Sequence, residues 1–451
     1  MVRKESLYAA ALCWATLVYC GVMPLPRSIV RSVVPLSAAT GISGIVVSNP
    51  AKTTSGRYYR FNFTLCSVTG IVGGFSVASG AGGTVAVLFP AAILEANFPG
   101  KLYSAASARS GQESRGDFFG ASRRGNPVAL SNLLVETGVR LTLTGKLLPP
   151  YEQRSFLDRL QGEKPVFLAE TLESAAYDGN FSGGLARVRG WCRLQFRRVM
   201  YAWGGAGGLF LALASGASEY TDSGVGGLFR NAGLSHVLAL SGMHLSIFSG
   251  VTRRAGKRAG KRRAELLALG VVLLFVWFAG WTPSLRRALI FFMLGFAAKR
   301  VGKVSGMTEM LTATFFIHFF WKPEEAATLS FILSYAGLAG ILVFSGLFNR
   351  LLVRIPGFFC SGGFAASIGA FIATSPVSAL FFHYVTPGSI LSSTVISPLI
   401  TVFMLCGIIC SIAALVYPPL VFTLGTAMNL VYRLIIIPTG LFARIPRIPV
   451  G

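Results

Sequence analysis

The sequence predicts a polytopic α-helical membrane protein with an N-terminal extracytoplasmic β domain and with broken and re-entrant helices in its membrane part. Three observations predict it. Of 451 residues, 53% are apolar and only 13% charged, with a mean hydropathy of +0.62, whereas a soluble domain carries about a quarter charged residues. Long apolar runs fill the second half of the chain, while the region from about 40 to 150 has short alternating runs punctuated by Gly and Pro. Finally, 41 Lys and Arg against 17 Asp and Glu leave a formal charge of +24. That excess is larger than orientation signals require and points to a polyanionic partner. Together these features exclude an ordinary soluble enzyme. Cys13, Cys20, Cys66, Cys192, Cys360, Cys406 and Cys410 are scattered without CxxC spacing, so neither a disulfide framework nor a zinc site is readable.

Residues 1–39 read as an anchor and linker. Arg3 and Lys4 precede an apolar run from Leu7 to Met23 with no A-x-A cleavage pattern after it, which favours an uncleaved membrane anchor over a signal peptide. Residues 40–150 read as the β domain. Tyr59, Phe61, Phe63 and Leu65 share one face of a strand while Tyr58, Arg60, Asn62 and Thr64 share the other, the two-residue period of a half-buried strand. Val85, Val87 and Phe89 repeat the pattern, as do Val139, Leu141 and Leu143. Between them, 106–126 is rich in Ser, Gly and Arg and reads as an insertion. Residues 151–200 read as a linker and a basic amphipathic helix, with Arg187, Arg189, Arg193, Arg197 and Arg198 interleaved with Leu185, Val188, Trp191, Leu194 and Phe196. Such a helix lies flat on lipid or serves as a polar linker.

Residues 201–451 are mostly membrane. Apolar segments cover about 199–215, 233–251, 264–282, 287–298, 307–321, 327–347, 364–385, 389–416 and 419–442, with Pro283, Pro376, Pro387, Pro398, Pro418 and Pro419 marking expected breaks. Broken helices are tolerated where they line a wet cavity or are buried in protein. Arg253, Arg254, Lys257, Arg258, Lys261, Arg262 and Arg263 form the densest basic cluster, so this loop is assigned to the cytoplasm. Counting crossings in pairs puts Lys299, Arg300 and Lys303, then Arg350 and Arg354, on the same side. The β domain and residue 232 then fall outside, and the 199–215 segment is expected to be re-entrant or surface-lying.

Four histidines, His236, His244, His318 and His383, lie in or beside apolar segments, where polar groups are functional candidates. His236 and His244 are eight residues apart, so both fall on one helix face with Leu240 between them, and Ser235, Ala239, Gly242 and Ser246 line a neighbouring close-packing face. Bonding across a helix interface is the plain alternative. Arg286 and Arg287 follow Pro283 and Ser284 at an external membrane edge, where a guanidinium holds a phosphate in bidentate fashion or snorkels to headgroups.

The run Phe229-Arg230-Asn231-Ala232-Gly233-Leu234-Ser235-His236-Val237-Leu238-Ala239-Leu240-Ser241-Gly242-Met243-His244 resembles the signature of the ComEC competence family of DNA-uptake inner-membrane channels. Pro283-Ser284-Leu285-Arg286-Arg287-Ala288 resembles that family's P-S-x-x-R-A block. Ser330-Phe331-Ile332-Leu333-Ser334-Tyr335 resembles its F-Q-L-S-F block, with Ile332 in place of Gln. Thr374-Ser375-Pro376 and Ser397-Pro398-Leu399 resemble its last membrane signatures, with Ser393 in place of Asn.

The resemblance implies an OB-like fold for the β domain, suited to single strands. It also implies a short form without the C-terminal metallo-β-lactamase-like domain, since no H-x-H-x-D-H cluster is present. The implied function is an inner-membrane channel for single-stranded transforming DNA. Its path or gate would involve Arg230, His236, Ser241, Gly242, His244, Arg286, Arg287, Ser334 and Pro398. No catalytic residue, metal or cofactor is expected. The implied partners are single-stranded DNA, membrane lipid, a surface DNA receptor, a separate nuclease and a cytoplasmic motor, with a homo-oligomer left open. The location implied is the bacterial inner membrane, with the β domain outside. Two alternatives stay open: a transporter of another anion, and a rhomboid-like intramembrane hydrolase using Ser241.

Overall fold

The computed structural model describes residues 30–35, 38–53, 57–72, 75–91, 135–148, 165–216, 223–302, 306–353 and 361–450. The expected anchor at 7–23 and the insertion at 106–126 lie outside the described residues.

Eight strands build the N-terminal part: β1 (Arg31–Ser32), β2 (Ala39–Val46), β3 (Ala51–Lys52), β4 (Tyr58–Val72), β5 (Phe75–Gly82), β6 (Thr84–Pro90), β7 (Val139–Leu148) and β8 (Val166–Tyr177). Five of them close a ring in the order β2, β4, β6, β8, β7 and back to β2. All of these pairs are antiparallel except β6 with β8. Closure removes the open edges that would recruit other chains. The alternation expected from the sequence sets the interior: Tyr59, Phe61, Phe63, Leu65, Val85, Val87, Phe89, Val139, Leu141 and Leu143 are all buried. Register places Phe61 opposite Val87 and Phe63 opposite Val85, so one face of each strand fills the barrel. Each such side chain contributes about 1.5–3 kcal/mol on burial.

The barrel runs past the expected boundary at residue 150, because β8 lies at 166–177. Only Phe167 and Ala169 of β8 are fully buried, and a register shift interrupts the pairing between Thr144 and Gly145. The strand therefore lacks the sustained two-residue period that marks the others.

After β8 comes α1 (Phe181–Tyr201), N-capped by Asn180, whose Oδ1 accepts from the Gly183 amide at 2.8 Å. Its apolar face is turned outward and its arginine face into the protein. Arg189, Arg193 and Arg197, four residues apart, are buried, while Phe181, Leu185, Val188 and Trp191 are exposed. The arginines face inward because they have partners there. Arg193 Nε donates to Glu136 Oε1 at 2.7 Å, and its Nη1 donates to the carbonyls of Phe278 at 2.8 Å, Ala279 at 3.2 Å and Ser215 at 3.3 Å. Arg197 Nη2 lies 3.1 Å from the same Glu136 oxygen. Arg189 bonds Thr137 Oγ1 and donates to the Phe278 carbonyl, and Asn49 donates to the Ala279 carbonyl. The barrel is thus tied to the ends of two membrane-region helices.

Those helices are α2 (Gly204–Ser215) and α6 (Lys261–Ala279); between them lie α3 (Ser223–Asn231), α4 (Ser235–Leu238) and α5 (Gly242–Ala255). At about 1.5 Å per residue, twelve-residue α2 is too short to cross a hydrocarbon core of about 30 Å. It does not lie on a surface either, since every residue from Ala206 to Ser215 is buried. Asn429 accepts from the Ala206 amide at 3.3 Å and donates to the Trp203 carbonyl at 2.8 Å, while Arg193 takes the carbonyl at the other end. Both polar ends of a buried helix are thereby satisfied.

The rest comprises α7 (Pro283–Arg300), α8 (Met307–Trp321), α9 (Pro323–Ala326), α10 (Leu329–Leu352), α11 (Ser361–Phe382), α12 (Ser389–Val416) and α13 (Val421–Phe442), plus a short ribbon of β9 (Tyr384–Val385) and β10 (Ile448–Pro449). Among the described residues, α10 to α13 are the four helices long and apolar enough to span a membrane. Helices α10 and α11 approach at Gly340 and Gly369, where a Cβ on either would overlap the other's carbonyl. Pro376 and Pro398 do not break helices: they lie inside α11 and α12, as Pro438 does inside α13. Next to Pro376, the Thr374 and Ser375 hydroxyls return hydrogen bonds to the Ala370 and Phe371 carbonyls one turn back.

Removing one partner of a buried ion pair strands the other, at a cost of about 3–5 kcal/mol. Glu136→Ala is therefore expected to lower the melting temperature in detergent sharply, whereas Leu185→Ala on the outward face of α1 leaves it nearly unchanged.

Candidate functional site

The segment 229–244 is a compact helix–turn–helix–turn. Helix α3 ends at Asn231, and Gly233 turns the chain with φ 74°, a left-handed conformation that glycine adopts without strain. A side chain there would also strike Ser389 at the start of α12. Ser392 Oγ donates to the Ala232 carbonyl at 2.7 Å, and Arg447 bonds Asn231 while stacking on Tyr384 with its guanidinium 4.5 Å from the ring centroid. The first turn of α12 and the β9–β10 ribbon therefore clamp this loop.

Next, α4 and the turn after it leave Ser235, His236 and Ala239 exposed, while Val237 and Leu240 are buried. Ser284 Oγ donates to the Leu240 carbonyl at 2.6 Å, fixing the following turn to the start of α7. Ser241 caps α5: its backbone amide donates to His244 Nδ1 at 3.0 Å, and Ser241 Oγ lies 3.2 Å from the same nitrogen. The pair forms a reciprocal helix cap. His244 is fully buried, and its Nδ1 already accepts from the main chain. The two histidines thus occupy different settings: His236 lies open at the surface of the segment, and His244 locks its fold. The turn at Ala239–Leu240 between α4 and α5 breaks the single helix face expected for them.

The two arginines also separate. Arg286 is buried, paired with Glu325, and set between the rings of Trp281 at 5.3 Å and Trp321 at 5.6 Å. It is not an open guanidinium waiting for phosphate. Arg287 is half-exposed; its Nη1 donates to the Ser334 carbonyl at 2.6 Å, and its guanidinium sits 5.9 Å from the Tyr335 ring. A Cβ built on Gly242 would lie 3.6 Å from Arg287 Nη2. Ser241, Gly242, His244, Arg287 and Ser334 are therefore brought together at the junction of α5, α7 and α10. Arg230 and Pro398 are exposed on α3 and α12, and neither shares a hydrogen bond with this junction.

Glu325, His318 and Tyr335 complete the polar contacts around Arg286; His318 is among the histidines the sequence offers as candidates, whereas Glu325 is not singled out by its pattern. A signal existed: from 233 to 451 the only acidic residues are Glu265, Glu309, Glu324 and Glu325, so a carboxylate near Arg286 is an obvious counter-ion. Among the described residues no group of three or more His, Cys, Asp or Glu side chains is placed to hold a metal ion.

Ser241→Ala is expected to cost about 0.5–2 kcal/mol through the lost cap, read as a lowered melting temperature with unchanged membrane insertion. A serine-reactive fluorophosphonate should leave wild-type protein unlabelled, because His244 Nδ1 is engaged by the backbone; labelling that Ser241→Ala abolishes would contradict the cap assignment.

In comparisons with known proteins, the profile of the Competence family, described as "Competence protein", matches residues 213–451. An uncharacterized protein of Aquifex aeolicus (strain VF5) is 29% identical over 212 residues, which cover 46% of this chain and 48% of that relative. This chain thus matches about half the length of that relative. No solved structure matches significantly. The matched span begins within α2 and includes the 229–244 segment, the Arg286–Glu325 pair and every candidate membrane span, and on that coverage the chain belongs to the Competence protein family.

Proposed function

We propose that the protein is a conduit for single-stranded DNA during uptake by a competent bacterium, in the cytoplasmic membrane, with its β barrel outside. One observation carries the reading: the barrel and the basic cluster lie at opposite ends of α6. Asn49 and Arg193 meet the carbonyls of Phe278 and Ala279 at the C-terminal end, whereas Lys261, Arg262 and Arg263 open its first turn. Nineteen residues separate the two by about 28 Å, close to the thickness of a hydrocarbon core, with the charges of Lys261, Arg262, Arg263 and Glu265 gathered at one end. The 229–244 segment is bonded through Leu240 to the barrel-side end of α7, where a strand leaving the barrel would arrive.

The five-stranded closed barrel with one parallel pair supports an OB-like assignment, a fold that grips single strands through stacking and backbone contacts. Arg57 and Arg60 are exposed on it beside the half-exposed Tyr58. Strand capture would rest on phosphate neutralisation and so weaken with salt. Arg287, only partly buried between α5 and α10, is the residue proposed to meet phosphates at the membrane edge, while His236 and Ser235 offer polar groups along the segment that follows.

Four outcomes test this. Cysteines at Ser76 and Lys257, both exposed positions, in a background without native cysteines, should react with an impermeant thiol reagent only at 76 in intact cells; labelling at 257 alone would reverse the topology. Arg287→Ala should reduce uptake of labelled DNA into the cytosol by about tenfold, the effect of losing one charge-assisted hydrogen bond of about 1.5 kcal/mol, at matched protein levels. Arg262→Ala should have a much smaller effect, and equal effects would count against the arginine. Purified protein should bind single-stranded DNA with salt-weakened affinity and degrade neither strand with Mg²⁺, Mn²⁺ or Zn²⁺; cleavage lost in a His236/His244 double variant would move the protein from conduit to enzyme.

A further inference from the structure

At the outer ends of α7 to α10, hydrogen-bond accounting around His318 leaves one proton to be placed. His318, on α8, is fully buried. Its Nδ1 lies 3.2 Å from Tyr335 Oη, and its Nε2 lies 3.0 Å from Glu325 Oε2. Tyr335 Oη in turn lies 3.2 Å from the main-chain carbonyl of Thr314. A carbonyl only accepts, so the single phenolic hydrogen is donated to Thr314, and the phenol oxygen must accept from His318. The hydrogen on Nδ1 is therefore fixed.

That leaves Nε2 facing a carboxylate oxygen. A neutral ring with its hydrogen on Nδ1 would set its Nε2 lone pair against the lone pairs of Oε2, out of water, where such a clash is costly. The contact therefore needs a second hydrogen, on the ring or on the carboxyl. Arg286 bonds the other carboxylate oxygen, Oε1, and a guanidinium there favours the ionised carboxylate, so the hydrogen belongs to the ring.

We infer that the His318–Glu325 pair is a proton-binding site. It holds one proton beyond a neutral imidazole and an ionised carboxylate, and that proton cross-links α8 to α9. The charged and titratable groups facing it are Arg286 and Arg287 from α7, Tyr335 from α10 and Glu325 from α9; exposed Lys322 and Glu324 lie 3.4 Å apart and pair with each other. The ring of Phe331 covers the imidazole at 4.9 Å. Glu325 retains 18% side-chain exposure while His318 has none, so exchange with solvent runs through the carboxylate. With the proton gone, Nε2 and Oε2 repel, Glu325 loses one of its two ties, and Arg286 is held by a carboxylate free to turn. The site thereby links proton occupancy to the fixation of the α7 terminus that carries Arg287. The inference concerns protonation alone and stands whatever substrate crosses the membrane.

The test is nitrogen NMR of the full chain in lipid nanodiscs, with the histidine rings labelled with ¹⁵N. Four histidines give at most four sets of ring signals, and the variants His236→Gln, His244→Gln and His383→Gln assign His318 by elimination, so no substitution at the site is needed. At neutral pH both ring nitrogens of His318 should carry hydrogen, and in Glu325→Gln, whose amide can donate, Nε2 should lose it. A neutral His318 ring together with an infrared band for a protonated carboxyl that Glu325→Gln removes would keep the proton on the pair and support the site. A neutral ring without that band would overturn it.

Discussion

The structure depends on one buried contact, the Arg193 guanidinium set among the Glu136 carboxylate and the carbonyls that end α2 and α6. Burying an arginine and a glutamate is expensive, and a lone ion pair would not offset it. Here the cation also sits at two helix C-termini, where unpaired carbonyls and the helix dipole are negative. Glu136 comes from the barrel, Ser215 from the buried short helix and Phe278 with Ala279 from the long helix behind it. Arg189 and Arg197 extend the same stripe. The barrel, the buried helix and the membrane bundle thus share one fixed origin, and the outward-facing aromatic and aliphatic residues of α1 follow from its arginines being turned in.

From that origin the junction around Arg287 follows by short steps. Helix α6 ends at Ala279, and Thr282 caps α7, its hydroxyl accepting from the Leu285 amide at 3.3 Å. Ser284, Arg286 and Arg287 then leave the first turns of α7 toward three different neighbours: the loop before α5, the α8–α9 corner and α10. One helix N-terminus therefore reaches three neighbours at this edge. Arg286 is spent on holding the frame, against Glu325 and two tryptophans, while its neighbour keeps solvent access. Adjacent arginines on a helix point about 100° apart, and this rotation separates a structural guanidinium from one available to a ligand.

Much of this was legible in the sequence where local pattern and environment agree. The two-residue period around Phe61, Phe63, Val85, Val87, Leu141 and Leu143 marked the barrel interior because each strand has one dry face. The 229–244 run read as one helix face for His236 and His244, and the turns at Gly233 and at Ala239–Leu240 break it, because the left-handed conformation at Gly233 is set by tertiary contact with the start of α12. Strand β8 escaped notice because it buries only two residues and slips register. The burial of the α1 arginines was hidden because it depends on partners eighty residues away in sequence, such as the Phe278 carbonyl. The prolines misled for a related reason: Pro376, Pro398 and Pro438 lie inside helices packed against neighbours, so composition alone signals a break that the helix absorbs. Glu325 was missed, and His318 was named without its partner, because pairing across α7, α8 and α9 is a tertiary fact, although the scarcity of acids in this half pointed to the carboxylate.

The central claim is that a DNA strand passes along the 229–244 segment, and photo-crosslinking in competent cells tests it most directly. A photoreactive amino acid would replace His236, and a labelled strand would be stalled in transit by a bulky end group. Crosslinks should form from position 236 and not from Leu430, which is exposed on the outside of α13. Equal crosslinking from both positions, or none from 236 while the strand is held in transit, would contradict the account.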